Sequence, residues 1–174
     1  PTPVIGGIGI INNLNKITDI KTKKNGNLII IVGQTIGHLG QSAFLYENFS
    51  LKDGPPPEIN LLNEKNNGLA VLELIKKGIA LSVHDISSGG MLVSLAEMSM
   101  SSGLGLKINK PKKLKNFYEY FFGEDQGRYL IELSKNNLKN IETLFKKNNV
   151  FHEIVAEVQN DTFEIEGLFS LKTK

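Results

Sequence analysis

The feature that most constrains the fold is the unbroken apolar run Leu28–Val32, which Gly26 precedes and Gly33 follows. Five consecutive aliphatic residues leave no polar face for solvent. A run this short, bounded by glycine, is typical of a strand buried on both faces rather than of a helix. The run therefore makes a sheet part of the fold.

Helical and strand patterns interleave along the rest of the chain, which predicts an α/β (α+β) fold with a mixed sheet in a single domain over residues 1–174. The predicted helix over 88–102 has little polar face and is expected to be buried between layers. Gly78 is expected to end the helix over 58–77, and Ser87 to cap the helix over 88–102. Helices are predicted over 41–48, 58–77, 88–102, 113–122 and 137–148. Strands are predicted over 8–11, 27–32, 79–83, 104–108, 128–133, 151–158 and 162–171, the last with a break near Gly167.

Composition excludes several classes of function. The chain has no cysteine, which removes disulfides, thiolate catalysis and cysteine-ligated zinc, and fits a cytoplasmic protein. No apolar run approaches the length that spans a bilayer, so no membrane partner is expected. The formal charge is +2 and the lysines are scattered, so they are interpreted as solvated faces rather than a nucleic-acid surface. The chain opens with proline, which fits an excised piece of a longer protein.

The first candidate site is the strand–turn–helix pattern over 80–90, ALSVHDISSGG. The strand delivers His84 and Asp85 to its end, and Gly89 and Gly90 then let backbone approach a ligand at a helix N-terminus. Free N–H groups there favour phosphate or another anion. In the alternative interpretation, Asp85 and Ser87 only cap the helix and the glycines allow close packing. The residues alone leave both open.

The second candidate is the turn over 122–128, FGEDQGR. It gathers two carboxylates, an amide and Arg128, the single arginine of a chain that has nineteen lysines. A lone arginine points to a place where a planar, bidentate donor is needed. The turn could hold a metal, a phosphate or a partner subunit, or an Arg128–carboxylate pair could simply shape the loop.

The third candidate is the loop over 33–42, GQTIGHLGQS, after the most apolar strand. It lacks the Gly-Lys-Ser/Thr ending of a P-loop. Open α/β sheets nevertheless bind ligands at such strand ends, and His38 could donate to a phosphate. The alternative is that His38 is solvated. The three histidines have no spacing that indicates a metal pair, and no catalytic nucleophile or triad can be assembled.

Three segments in order carry a resemblance to one family: PTPVIGGIG over 1–9, HDISSGG over 84–90 with LAEM over 95–98, and FGEDQGRY over 122–129. They are similar to the last domain of the large subunit of phosphoribosylformylglycinamidine synthases. The loop over 37–42 and the connector DGPPP over 53–57 agree with bacterial members. Ser88 departs from the family, which usually carries aspartate there.

The resemblance implies a domain like the C-terminal domain of aminoimidazole ribonucleotide synthetase (PurM), with a mixed sheet and helices packed mainly on one face. It implies a role in converting formylglycinamide ribonucleotide, ATP and glutamine-derived ammonia into formylglycinamidine ribonucleotide in purine biosynthesis. ATP and Mg²⁺ would serve the complete enzyme, and this chain alone would bind neither exclusively. The partners implied are the remaining domains of the subunit, a glutaminase and a small accessory subunit.

The same resemblance places the family's catalytic histidines, magnesium ligands and most ATP contacts in the preceding domains. No catalytic or metal-binding residue is therefore assigned to this chain, which is expected to be inactive alone. Asp85, Ser87, Gly89, Gly90, His38 and Arg128 are the candidate ligand- or phosphate-binding residues. The alternatives are a stand-alone phosphate- or nucleotide-binding module and a dimerisation module of the same superfamily.

Overall fold

The computed structural model describes residues 4–11, 13–111 and 116–173. Its strands are β1 (Leu28–Val32), β2 (Ser82–Asp85), β3 (Gly105–Ile108), β4 (Tyr129–Leu133), β5 (His152–Gln159), β6 (Thr162–Ile165) and β7 (Phe169–Lys172). Its helices are α1 (Ala43–Phe49), α2 (Leu61–Lys76), α3 (Gly90–Ser102), α4 (Phe117–Phe122) and α5 (Leu138–Lys147). Single 3₁₀ turns cover Leu14–Lys16 and Lys135–Asn137.

The strands form one sheet in the order β2-β4-β1-β5-β3-β6-β7. All five residues of β1 are buried, and Leu28 pairs with Leu133 of β4 on one side and Glu157 of β5 on the other. Strands β3 and β6 run parallel, whereas the other pairs between described strands are antiparallel. The predicted α/β fold with a mixed sheet is confirmed.

Helices cover both faces of this sheet, so their expected placement mainly on one face is wrong. Ile29 and Ile31 pack with residues of α3 and α4. The alternate residues of β1, among them Ile30, pack with residues of α2 and α5. Successive side chains of a strand point to opposite faces, so an all-apolar strand requires cover on both. The run that predicted the buried strand also required the second helical layer.

Helix α3 buries one face rather than its whole surface. Met91, Leu95 and Met98 are fully buried against the sheet, as the spacing of three and four residues allows. Met100 lies on the opposite face and is exposed. The prediction that this helix lies between two layers is therefore wrong, and its apolar outer face is solvent-accessible in this chain.

Most predicted elements are present with shifted ends. Helix α2 begins after Asn60, whose side chain caps it, and ends before Gly78, which adopts the expected left-handed conformation at φ 68°. The break near Gly167 is confirmed as the turn between β6 and β7. The predicted strand over 8–11 is wrong, because the described residues of this segment form no strand. The predicted helix over 113–122 lies partly outside the described residues, and α4 is its described part.

Strand β4 carries a fully buried carboxylate, that of Glu132. Its oxygens accept hydrogen bonds from the backbone N–H of Lys23 and Lys24, the side-chain amide of Asn27 and the hydroxyl of Ser82, at 2.7–3.2 Å. A buried carboxylate is tolerated only when its oxygens have partners. Glu132 therefore holds the segment before β1 onto the sheet.

No helix in the described ranges has the length and apolar character needed to cross a membrane.

Candidate functional site

The turn between α4 and β4 organises the ends of two helices through Glu124. One carboxylate oxygen, Oε1, accepts hydrogen bonds from the backbone N–H of Ala43 at 2.8 Å and of Gly89 at 2.7 Å. The first N–H belongs to the opening turn of α1, and the second to the residue that precedes α3. A carboxylate at helix N-termini complements their unpaired N–H groups and dipoles. Glu124 therefore fixes α1 and α3 relative to the turn.

Asp125 organises the loop after β1 in the same way. Its Oδ2 accepts from the N–H groups of Ile36 and Gly37, both at 3.0 Å, and its Oδ1 accepts from His38 at 3.1 Å. Successive backbone N–H groups that converge in this way form a concave anion site. Asp125 is buried and fills that site with the protein's own carboxylate.

Arg128 is fully buried behind the turn. Its Nε donates to the carbonyl of Asp125 at 3.0 Å, Nη1 to Oγ1 of Thr35 at 3.0 Å and Nη2 to the carbonyl of Gly123 at 2.6 Å. The Asp125 carboxylate lies 3.6 Å from Nη1. Burial lowers the pKa of Arg128, and the carboxylates of Asp125 and Glu124 oppose that shift. These contacts are those of a loop-shaping pair, and a ligand contact by Arg128 stays a prediction.

The double glycine lies where α3 meets α4. Gly89 and Gly90 both have left-handed backbone, at φ 84° and 72°. A Cβ on Gly90 would lie 2.7 Å from the carbonyl carbon of Phe122, so only glycine fits this approach. The N–H of Gly89 is engaged by Glu124, and that of Gly90 by the carbonyl of Ser87 at 3.1 Å.

Ser87 does not cap α3, contrary to prediction. The N-cap position is Gly89, without a side-chain cap bond among the described residues. Ser87 and Ser88 are exposed, as is Asp85. Because both glycine N–H groups bind internal acceptors, phosphate binding at this turn has no direct support in the geometry and stays a prediction.

His84 joins the edge strand β2 to α3. Its Nε2 lies 2.8 Å from Oε2 of Glu97, and its Nδ1 lies 3.3 Å from Oδ1 of Asp85. The imidazole is mostly buried, whereas both carboxylates are exposed. The described residues contain no group of three or more His, Cys, Asp or Glu side chains that could hold a metal ion.

His38 ties the loop after β1 to the proline connector. Its Nε2 donates to the carbonyl of Pro55 at 2.9 Å, and its own carbonyl accepts from the N–H of Glu124 at 2.8 Å. Both ends of the residue are thus engaged in loop structure. Donation to a phosphate by His38 stays a prediction.

A cleft of about 830 Å³ lies beside this loop. The loop after β1, the proline connector, the start of α2 and the turn after α5 form its walls. Of the predicted site residues it contains His38, whereas Arg128 lies behind its wall and the double glycine is elsewhere. The structure therefore does not bring the six predicted residues into one site.

Six carboxamide side chains line this cleft, and sequence analysis assigned none of them a binding role, although it noted the amide of Gln126 and included Gln34 in a candidate loop. They are Gln34, Asn60, Asn63, Asn67, Gln126 and Asn149. Abundant asparagine hides any one of them in the sequence. The usable signal was positional, because Gln34 follows a buried strand and Gln126 belongs to the charged turn.

Comparison with known proteins identifies the family of this chain. The family described as "AIR synthase related protein, C-terminal domain" matches residues 24–166. The chain belongs to this family.

Two relatives with high sequence identity are both PurL subunits. Phosphoribosylformylglycinamidine synthase subunit PurL of Pelagibacter ubique is 43% identical over 161 residues, which are 92% of this chain and 22% of that protein. The PurL subunit of Rhodopseudomonas palustris is 36% identical over 174 residues, 100% of this chain and 24% of its own length. The resemblance drawn from the three motifs is confirmed. The chain spans about a quarter of the length of these relatives.

Among solved structures, Thermotoga maritima PurL complexed with FGAR has the same fold. The TM-score is 0.73 at 20% identity, and the match covers 92% of this chain and 29% of that one.

Proposed function

We propose that this chain forms the last domain of a phosphoribosylformylglycinamidine synthase large subunit. The observation that carries the proposal is the 36–43% identity to PurL subunits of which the chain spans 22–24%. The complete subunit would convert formylglycinamide ribonucleotide, ATP and glutamine-derived ammonia into formylglycinamidine ribonucleotide as an amidine-forming ligase. The T. maritima structures with FGAR and ATP support the choice of substrate and nucleotide.

The contribution of this domain is a scaffold rather than reacting groups. Glu124 binds the N-terminal ends of α1 and α3, and Asp125 and Arg128 bind the loop after β1. We place the magnesium ion of the reaction in the rest of the subunit, as the resemblance to the family implies. We also propose that the domain is a single unit, that the enzyme is cytoplasmic, and that a glutaminase and a small accessory subunit complete it.

The segment before the first 3₁₀ turn supports a role inside a larger subunit. Val4, Ile5, Ile8 and Ile10 are 88–103% exposed, although all are strongly apolar. Covering aliphatic side chains at this exposure with a neighbouring domain removes apolar surface from water, which is favourable. The PurL subunit of Pelagibacter ubique is longer than this chain, which matches 22% of it.

The stand-alone phosphate-binding alternative is less well supported. It requires open N–H groups at the double glycine, and Glu124 already binds the N–H of Gly89. An external phosphate would have to displace that carboxylate, which lies close enough to repel it.

The proposal is tested by comparing the 174-residue chain with a complete PurL-type subunit that contains it. We expect no ADP formation from the chain alone with formylglycinamide ribonucleotide, ATP–Mg²⁺ and ammonia, and turnover by the complete subunit. Deletion of this domain from the subunit should abolish turnover. Catalysis by the isolated chain, or full activity of the deleted subunit, would contradict the proposal.

A further inference from the structure

The cleft beside the loop after β1 has a lining that the scaffold role does not explain. We name it the carboxamide cleft, after its six carboxamide side chains Gln34, Asn60, Asn63, Asn67, Gln126 and Asn149. Its volume of about 830 Å³ falls within the range of small-molecule sites. Each carboxamide presents a donor and an acceptor side by side.

Asn67 gives the cleft a defined hydrogen-bonding floor. The residue is 6% exposed, and its Nδ2 donates to the carbonyl of Gly127 at 2.9 Å. This bond fixes the orientation of the amide, because a carbonyl accepts only from the nitrogen. Among the described residues, no donor contacts the remaining Oδ1. Oδ1 is not one of the buried side-chain atoms that lack a partner, so it is accessible to solvent. A molecule bound in the cleft can therefore donate a hydrogen bond to it.

The charges around the cleft favour a neutral ligand over a phosphate. Glu58 and Glu64 lie on its walls, and Lys146 is the single lysine among its lining residues. The N-terminus of α2 opens here, but the side chain of Asn60 already accepts from the N–H of Asn63 at 3.0 Å. The nearby N–H groups of the loop after β1 are filled by Asp125. No strong positive potential is therefore left for an anion.

The apolar part of the lining provides flat surfaces. Phe151 lines the cleft and is 45% exposed. Pro55–Pro57 of the proline connector form another part of its lining. Aromatic side chains stack on nucleobases, and asparagine and glutamine pair with the donor–acceptor edge of adenine. We propose that the carboxamide cleft binds a neutral purine base or nucleoside, with Phe151 stacking on the ring and Asn67 and Gln126 contacting its edge.

The test is a titration of the 174-residue chain with adenosine, followed by NMR of the backbone and side-chain amide signals. We expect saturable shifts at Asn67, Gln126 and Phe151. The variants Gln126→Ala and Phe151→Ala should each weaken binding by about tenfold, the size of one lost base contact. Gln126 is exposed, so its replacement leaves the fold intact even if Phe151→Ala lowers stability.

Asn66→Ala is the matched control, because Asn66 lies on the same helix as Asn67 but outside this cleft. Unchanged affinity in that variant supports the proposal. An equal loss in the control, shifts centred on Gly89 and Gly90, or no saturation by adenosine would overturn it. Competition by inorganic phosphate or by ribose alone would also overturn it, since the ligand would then be recognised as an anion or a sugar.

Discussion

Two buried acidic regions hold this domain together, and they do so differently. The turn Gly123–Arg128 contains both signs of charge, with Asp125 3.6 Å from the Arg128 guanidinium. Glu132, on strand β4 and seven residues after Asp125, is instead surrounded by uncharged donors. Loss of one ion in the turn leaves an opposite charge buried, whereas loss of the Glu132 charge leaves only dipoles. Although the charged groups of the two regions are similarly buried, their mutation is therefore expected to lower the free energy of unfolding by different amounts.

The largest effect is expected for Arg128→Met. The change removes three hydrogen bonds and leaves the Asp125 carboxylate buried without its cation. Breaking a buried ion pair from one side costs about 3–5 kcal/mol of unfolding free energy. Urea denaturation measures it, and Lys135→Met is the control, because Lys135 pairs with Glu157 on the surface. Exposed pairs contribute about 1 kcal/mol or less. Equal losses in the two variants would contradict the buried-ion interpretation.

Next in size is Gly90→Ala, which tests the packing beside the turn. The new Cβ would meet the backbone of Phe122 and Gly123 at 2.7–2.8 Å, in a left-handed conformation. Overpacking and backbone strain together should cost about 2–4 kcal/mol.

Gly26→Ala is the matched variant in the segment that Glu132 holds. Gly26 has a similar φ of 85°, but a Cβ there has nothing within 4 Å. It should carry only the conformational cost, about 1 kcal/mol. Thermal unfolding of the two variants separates strain from steric conflict. If they melt together, the approach of α3 to α4 does not require glycine.

A smaller effect is expected for Glu132→Gln. The amide keeps the shape and one acceptor, but its NH₂ group then faces donors from the segment before β1. Replacing hydrogen bonds to a charged acceptor should cost about 2 kcal/mol. Glu157→Gln on the neighbouring strand is the control, since Glu157 is partly exposed, and should cost no more than about 0.5 kcal/mol. Hydrogen exchange should show faster exchange at Lys23 and Lys24 in Glu132→Gln, and unchanged exchange there would contradict the assigned role.

The same comparison explains what sequence reasoning could find. The turn's charges are adjacent, so its motif and the lone Arg128 were visible as a candidate site. The partners of Glu132 lie 50–109 residues away, and no local pattern records them. The buried strand β1 was predicted because its apolar run is local. The same run requires helices on both faces of the sheet, and this consequence was not predicted. The carboxamide cleft depends on four separate segments, which only the folded chain assembles.

The smallest effect is a pH dependence on the turn's side of the sheet. Burial raises the pKa of Tyr120 above its ordinary value of about 10, and Glu153 adds to the shift while Arg128 opposes it. The unfolded chain therefore releases this proton first as pH rises. The stabilisation is complete below about pH 10 and is lost as pH rises toward the higher pKa of the folded state.

Tyr120→Phe removes this ionisation, so it should lose less stability than the wild type between about pH 8 and about pH 11, by about 1 kcal/mol. Urea unfolding at the two pH values measures the difference, and lysine titration affects both proteins alike. Tyr118→Phe, at an exposed position on the same helix, is the control and should follow the wild type. If Tyr120→Phe and wild type decline in parallel, burial of the phenol near the turn does not govern the alkaline limit. A selective effect would instead show that burial of the Tyr120 phenol in α4 links stability to the alkaline side of the pH range.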